Sequence, residues 1–132
     1  MINLNKIANK IATNDLLTTI VPKMTFDEHG NKEWKLNGVF HREDGPAIER
    51  ANGGKEWWIN GKLHRENGPA IEHANGTKQW WINGKHHRED GPAAEYADGG
   101  KLWYLNGVRI EYDPETWDQK VQESHVENLM SE

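Results

Sequence analysis

Apolar and polar positions alternate in short bursts along the middle of the chain, and the whole pattern recurs every 23 residues. Each burst runs into an Asn-Gly pair: Trp34-Lys35-Leu36-Asn37-Gly38, Trp57-Trp58-Ile59-Asn60-Gly61, Trp80-Trp81-Ile82-Asn83-Gly84 and Trp103-Tyr104-Leu105-Asn106-Gly107. A second turn signal lies between successive bursts, at Asn52-Gly53, Asn75-Gly76 and Asp98-Gly99. Asn-Gly and Asp-Gly tolerate the positive φ angles of tight hairpin turns, and period-two alternation belongs to strands. The pattern predicts a mainly β chain: a single-layer antiparallel meander of 23-residue hairpin repeats, two strands to a unit. Self-similarity at this period marks a stack whose units lean on their neighbours.

The first unit is half present, with Met24 to Trp34 aligning with Ala47 to Trp57. The last is degenerate, Ile110 standing where His41, His64 and His87 stand, and Pro114 where Gly45, Gly68 and Gly91 stand. Three segments follow: residues 1–22, an N-terminal helical cap; 23–112, the array; and 113–132, a C-terminal helix. At the start, Leu4, Ile7, Ala8, Ile11 and Ala12 fall at helical spacing behind Asn3, predicting a short helix to about Thr13. At the end, Asp113 suits an N-cap and Pro114 the first helical position, predicting a helix from about Pro114 to Met130. Both helices read as caps on open sheet edges, or as elements of a homodimer.

Strand parity divides the aromatics into two rows. Trp34, Trp57, Trp80 and Trp103 share a face with Leu36, Ile59, Ile82 and Leu105. If the second turn has a two-residue loop, Ile48 and Ile71 pair beside Trp57 and Trp80 on that face, which then reads as the core. Lys35, Trp58, Trp81 and Tyr104 point to the other face, either covered by another element or forming an exposed stripe for a partner.

The repeated H-R-E-[DN]-G-P-A stretches, His41 to Ala47, His64 to Ala70 and His87 to Ala93, place a base, a cation and a carboxylate together. That combination suggests acid–base or phosphate chemistry. Three features oppose catalysis: the motif occurs three times, Asn67 replaces the Asp of its equivalents, and Asx-Gly-Pro is turn chemistry. The stretch reads first as a structural corner, with Arg and His crossing to neighbouring units. Its functional reading is a row of cations, Arg42, Arg65 and Arg88, that holds an acidic partner or an anionic ligand. Equivalent histidines two strands apart lie about 9–10 Å from one another, too far to share one metal ion.

The totals narrow the class. The 132 residues suit one domain or a short array, and 35% hydrophobic content suits a thin stack better than a sphere. Seven Trp compensate, each able to bury about 150–250 Å². A net charge of −5 gives no basic footprint for general nucleic-acid binding. The chain has no cysteine, so it has neither disulfides nor thiolate metal sites, which fits a reducing cytosol. No apolar run approaches a membrane span, and the N-terminal segment lacks the apolar centre of a signal peptide, so a cytoplasmic location is expected. Membrane association through that segment, with its two Lys, would be weak.

The unit N-G-K-x-H-x-x-x-G-x-A followed by a [DN]-G turn resembles the MORN repeat. Trp57-Trp58-Ile59-Asn60-Gly61-Lys62, His64, Gly68 and Asn75-Gly76 match the order of that family's 23-residue hairpin unit, and the likeness runs from about Met24 to Tyr112. Arg65, where the family usually has Gly, and the Gly-Pro-Ala ending depart from it, and this variant is similar to repeats of bacteriophage and bacterial proteins. The resemblance implies a non-enzymatic scaffold or protein-binding surface, with antitoxin or immunity roles among bacterial relatives. A phage or bacterial antagonist of a host enzyme, toxin or immune effector fits this picture. The combined expectation is a binding module that uses Trp58, Trp81, Tyr104, Lys35, Arg42, Arg65 and Arg88 and requires no cofactor or metal. A nucleotide held between an aromatic and an Arg is the alternative.

Overall fold

The computed structural model describes residues 20–130. The predicted N-terminal helix, Asn3 to about Thr13, lies outside the described residues. Fourteen short strands and one helix follow: β1 (Lys23–Phe26), β2 (Lys32–Leu36), β3 (Val39–Phe40), β4 (Ile48–Glu49), β5 (Lys55–Glu56), β6 (Trp58–Ile59), β7 (Lys62–Leu63), β8 (Ile71–Glu72), β9 (Lys78–Gln79), β10 (Trp81–Ile82), β11 (Lys85–His86), β12 (Ala94–Glu95), β13 (Lys101–Leu105), β14 (Val108–Ile110) and α1 (Trp117–Met130). The fold is mainly β, antiparallel and meander-like, with a C-terminal helix.

The main sheet runs β1-β2-β4-β5-β8-β9-β12-β13-β14, with β3 on β2, while β6-β7 and β10-β11 form separate hairpins. The tryptophans mark the divide. Trp57 donates its N–H to the Ala70 carbonyl at 2.8 Å, and its own carbonyl accepts the His64 N–H at 3.0 Å. The strand therefore changes neighbours at this residue, and Trp34 and Trp80 do the same through Ala47 and His41 and through Ala93 and His87. The Gly-Pro corner between these partners explains the break, since proline has no N–H to extend a ladder. The Asn-Gly hairpins then tie to one another, Arg42 N–H to the Trp58 carbonyl at 3.1 Å and Gly61 N–H to the Phe40 carbonyl at 2.9 Å, with the same pair in the next two units.

The two turns differ in length. Asn60 and Gly61 have φ of 51° and 77°, and Ile59 faces Lys62, a two-residue loop with both central residues left-handed. At the second turn Arg50 and Gly54 are bonded at 2.8 Å and Gly53 alone among the loop residues has positive φ, 97°, which makes the loop three residues long. That extra residue overturns the expected pairing of Ile48 and Ile71 with the tryptophans. Ile48 faces Glu56 and Ile71 faces Gln79, on the other side of the sheet, because a one-residue shift of register exchanges the faces.

One face accordingly carries the cross-strand row Trp34, Ala47, Trp57, Ala70, Trp80, Ala93 and Trp103. Beside it runs Lys32, Glu49, Lys55, Glu72, Lys78, Glu95 and Lys101, alternating in sign at every step. Opposite charges on facing strands contribute about 0.2–1 kcal/mol per pair. The other face carries Glu33, Ile48, Glu56, Ile71, Gln79, Ala94 and Leu102. The tryptophan row is not the dry core that parity alone suggests. All four Trp are half-buried, and complete burial falls on Ala47, Ala70 and Ala93 between them, and on Ile48 and Ala94 behind.

Helix α1 begins at Trp117, three residues later than expected. Asp113 does accept an early amide, Glu115 N–H at 2.9 Å, but its carbonyl closes a separate turn with Thr116 N–H before the helix starts.

Candidate functional site

Each H-R-E corner is built the same way. The Arg42, Arg65 and Arg88 guanidinium groups lie 3.9, 3.8 and 3.8 Å from the ring centroids of Trp34, Trp57 and Trp80. Each also donates to the carbonyl of the corner proline, Pro46, Pro69 or Pro92, at 3.1 Å. Carboxylates complete the shell: Asp44 on Arg42, Glu72 on Arg65, and Asp90 with Glu95 on Arg88. The corner glycine permits this fold-back, because a Cβ on Gly45, Gly68 or Gly91 would stand 3.0, 3.1 or 2.9 Å from the guanidinium carbon. In the degenerate last unit Glu111 takes the place of the Arg, and Tyr112 stacks on Trp103 instead, centroids 4.5 Å apart and planes 8° from parallel.

The histidines join one repeat to the next. His41 Nδ1 accepts the Asn60 N–H at 2.9 Å, His64 that of Asn83 at 3.0 Å, and His87 that of Asn106 at 2.9 Å. These asparagines are the left-handed turn residues, so each imidazole pins the next hairpin turn. With Nδ1 accepting, the proton of the neutral ring sits on Nε2, facing Glu43, Glu66 or Glu89. The triple motif is thus a repeated structural joint. Among the described residues no group of three or more His, Cys, Asp or Glu side chains is arranged to hold a metal ion.

Lys35, Trp58, Trp81 and Tyr104 form part of a longer stripe on the opposite face. Lys35 Nζ lies 5.1 Å from the Phe40 ring, and Phe40 and Trp58 are 5.4 Å apart. Trp58 faces Leu63, the Trp81 and His86 rings lie 3.6 Å apart with their planes tilted by 37°, and His86 and Tyr104 lie 4.7 Å apart. The indole N–H groups of Trp58 and Trp81 donate to Glu56 and Gln79 at 3.2 Å, anchoring the stripe to the row behind it. Burial pushes the His86 imidazole pKa down, which favours the neutral ring beside Trp81. Ring contacts thus join Lys35 to Trp58 and Trp81 to Tyr104, backbone bonds between the hairpins set the two groups side by side, and Arg42, Arg65 and Arg88 lie across the sheet rather than beside them. Phe40, Leu63 and His86 were not expected. Their signal is the two-residue Asn-Gly loop, which pairs each stripe residue with the one five positions on.

On the tryptophan face, a groove of about 920 Å³ runs between the Glu66 and Glu89 corners over Trp80 and Ile82. A smaller one of about 620 Å³ lies a repeat earlier over Trp57 and Ile59. At the end of the array α1 packs against the Glu89 corner. Trp117 donates its indole N–H to the Glu89 carbonyl at 2.7 Å, His125 Nε2 is 2.9 Å from the Glu89 carboxylate, and Asn106 Nδ2 donates to the Ser124 carbonyl at 2.9 Å. Burial raises the Glu89 pKa, but hydrogen bonds from His87 and His125 outweigh it and hold the carboxyl below its usual range.

No family model matches the chain, and comparisons with curated proteins and with solved structures find no match. Among the described residues no helix is long and apolar enough to cross a membrane.

Proposed function

We propose that this chain is a non-enzymatic, MORN-like protein-binding module that acts by occupying a protein partner, in the manner of a bacteriophage or bacterial antagonist of an enzyme, toxin or immune effector. The observation that carries the reading is the stripe from Lys35 through Phe40, Trp58, Leu63, Trp81 and His86 to Tyr104, which crosses every Asn-Gly hairpin. Aromatic rows of this kind supply contact area at low entropic cost and concentrate binding energy. The corners support the same reading by exclusion of roles: in all three copies the His bonds the next turn and the Arg stacks on its tryptophan, so each already serves the stack. A nucleotide sandwiched by Arg finds less support, because Trp34, Trp57 and Trp80 already cover the guanidinium faces such a ligand would use. The test is capture from a bacterial lysate with the wild-type chain, a Trp58→Ala/Trp81→Ala variant and an Arg65→Ala variant, each checked for unchanged circular dichroism. Loss of a captured protein with the Trp variant alone is expected. Identical capture by all three removes the stripe as the binding surface.

A further inference from the structure

The 23-residue shift makes three sets of groove residues equivalent: Glu43 with Ile59 and Asn60, Glu66 with Ile82 and Asn83, and Glu89 with Leu105 and Asn106. Each set offers a corner Glu main-chain carbonyl, its carboxylate, an apolar floor beside a tryptophan, and the carboxamide of a turn asparagine. Asn128 of α1 lines the rim of the second groove, but it is the third set to which Trp117, Ser124 and His125 bond in the described residues. There Leu105 is 4% exposed and Trp117 7%, while Ile59 and Ile82 are half-buried and Asn60 and Asn83 exposed. The Glu side chains tell the same story, at 82% exposure for Glu43, 78% for Glu66 and 42% for Glu89. The molecule thus displays one filled example of a groove whose near wall and floor it carries three times, the far wall of the other two being the next corner.

We propose that the first two grooves, which lack the Trp117, Ser124 and His125 contacts, dock helices of a partner protein whose chemistry copies that of α1. The occupant has an indole whose N–H reaches the Glu66 or Glu43 carbonyl. Eight residues further on, about 12 Å along the helix axis, it has an imidazole or another cation for the Glu carboxylate. A small residue between them lets the helix backbone approach Asn83 or Asn60, as Ser124 does at Asn106. The filled groove supplies the warrant for each element: Trp117, Ser124 and His125 make these contacts on the Glu89 corner. This inference rests on the protein-binding reading but assigns it a second surface, on the face opposite the aromatic stripe.

The probe is a synthetic peptide with the sequence of residues 113–130, titrated into the ¹⁵N-labelled full chain up to about 1 mM, the effective-concentration scale of a tethered helix. Saturable shifts at the amides of Glu66, Asn67 and Asn83, and at those of Glu43 and Asn60, are expected. A peptide carrying Trp117→Ala should bind at least about tenfold more weakly, since it lacks both the indole area and its N–H. A Glu66→Lys chain should lose the response around Asn83 and keep that around Asn60. Shifts confined to Glu89 and Asn106 would mean that the peptide merely exchanges with the resident helix, and would overturn the proposal, as would no response. A response only at the Trp58 and Trp81 indole N–H signals would also overturn it while leaving the stripe reading standing. Conversely, groove shifts together with lysate capture that is indifferent to Trp58 and Trp81 would sink the stripe and not the grooves.

Discussion

The Glu66 and Glu89 corners share their joint and differ in their cover. Both have His Nδ1 bonded to the next turn, Arg stacked on Trp, and a Gly-Pro that folds the Arg back. At Glu89 the helix α1 packs on the groove through Trp117; at Glu66 the equivalent groove lies between two corners, with Asn128 of α1 at its rim. The difference teaches that the corner is complete without the helix, so the cover is an addition to a finished scaffold. What α1 contributes is removal of apolar floor from water at the end of the array, where no next corner forms the far wall.

Three changes should break or sharpen this contrast. Trp117→Ala removes the anchor of α1 and should cost about 3–5 kcal/mol in urea unfolding, the range for emptying a buried Trp site. A loss below about 1 kcal/mol would mean that the helix does not protect the terminal groove. Next, His87→Ala and His64→Ala remove the same acceptor under different cover. Asn106, beneath α1, is half-buried and Asn83 is exposed, so losses of about 2 and about 1 kcal/mol respectively are expected, because water replaces the lost acceptor only at the open corner. Equal losses would erase the distinction. The smallest effect is in pH. Glu89 has its folded-state pKa held below the unfolded value, so its stabilising contribution is present above the ordinary carboxyl range, about 4 to 5, and is lost as pH falls through the lower folded value. Glu89→Gln should therefore flatten the acid limb of the stability profile, and a limb as steep as in the wild type would remove this contribution.

Much of this was legible in the chain. Four Asn-Gly pairs at one spacing specify four hairpins of one turn type, and Asn37, Asn60, Asn83 and Asn106 all take the left-handed conformation that such turns demand. Asp113 and Pro114 announce the final helix, early by three residues because Asp113 first closes its own turn. The face assignment was not legible. Asn52-Gly53 is compatible with loops of two or three residues, and the choice moves Ile48 from Trp57 to Glu56. The same choice hides the alternating Lys–Glu row, which appears only once Glu49 is set opposite Lys55. The structural corner was legible, and His41, His64 and His87 do cross to the next unit, but Arg42, Arg65 and Arg88 do not, because a sequence does not show that the corner returns each to its own tryptophan. The covered groove was likewise out of reach, since Glu43, Glu66 and Glu89 are identical in type and only the chain's path brings Trp117 to one of them.

The contrast between covered and open corners is tested most directly by the solvent accessibility of three equivalent methyl-bearing side chains, measured by relaxation from a soluble paramagnetic probe in the wild type and in Trp117→Ala. The account predicts accessible Ile59 and Ile82 methyls and a protected Leu105 in the wild type, with Leu105 rising to their level once Trp117 is removed. Ile82 as protected as Leu105 in the wild type, or Leu105 unmoved by the substitution, would contradict it.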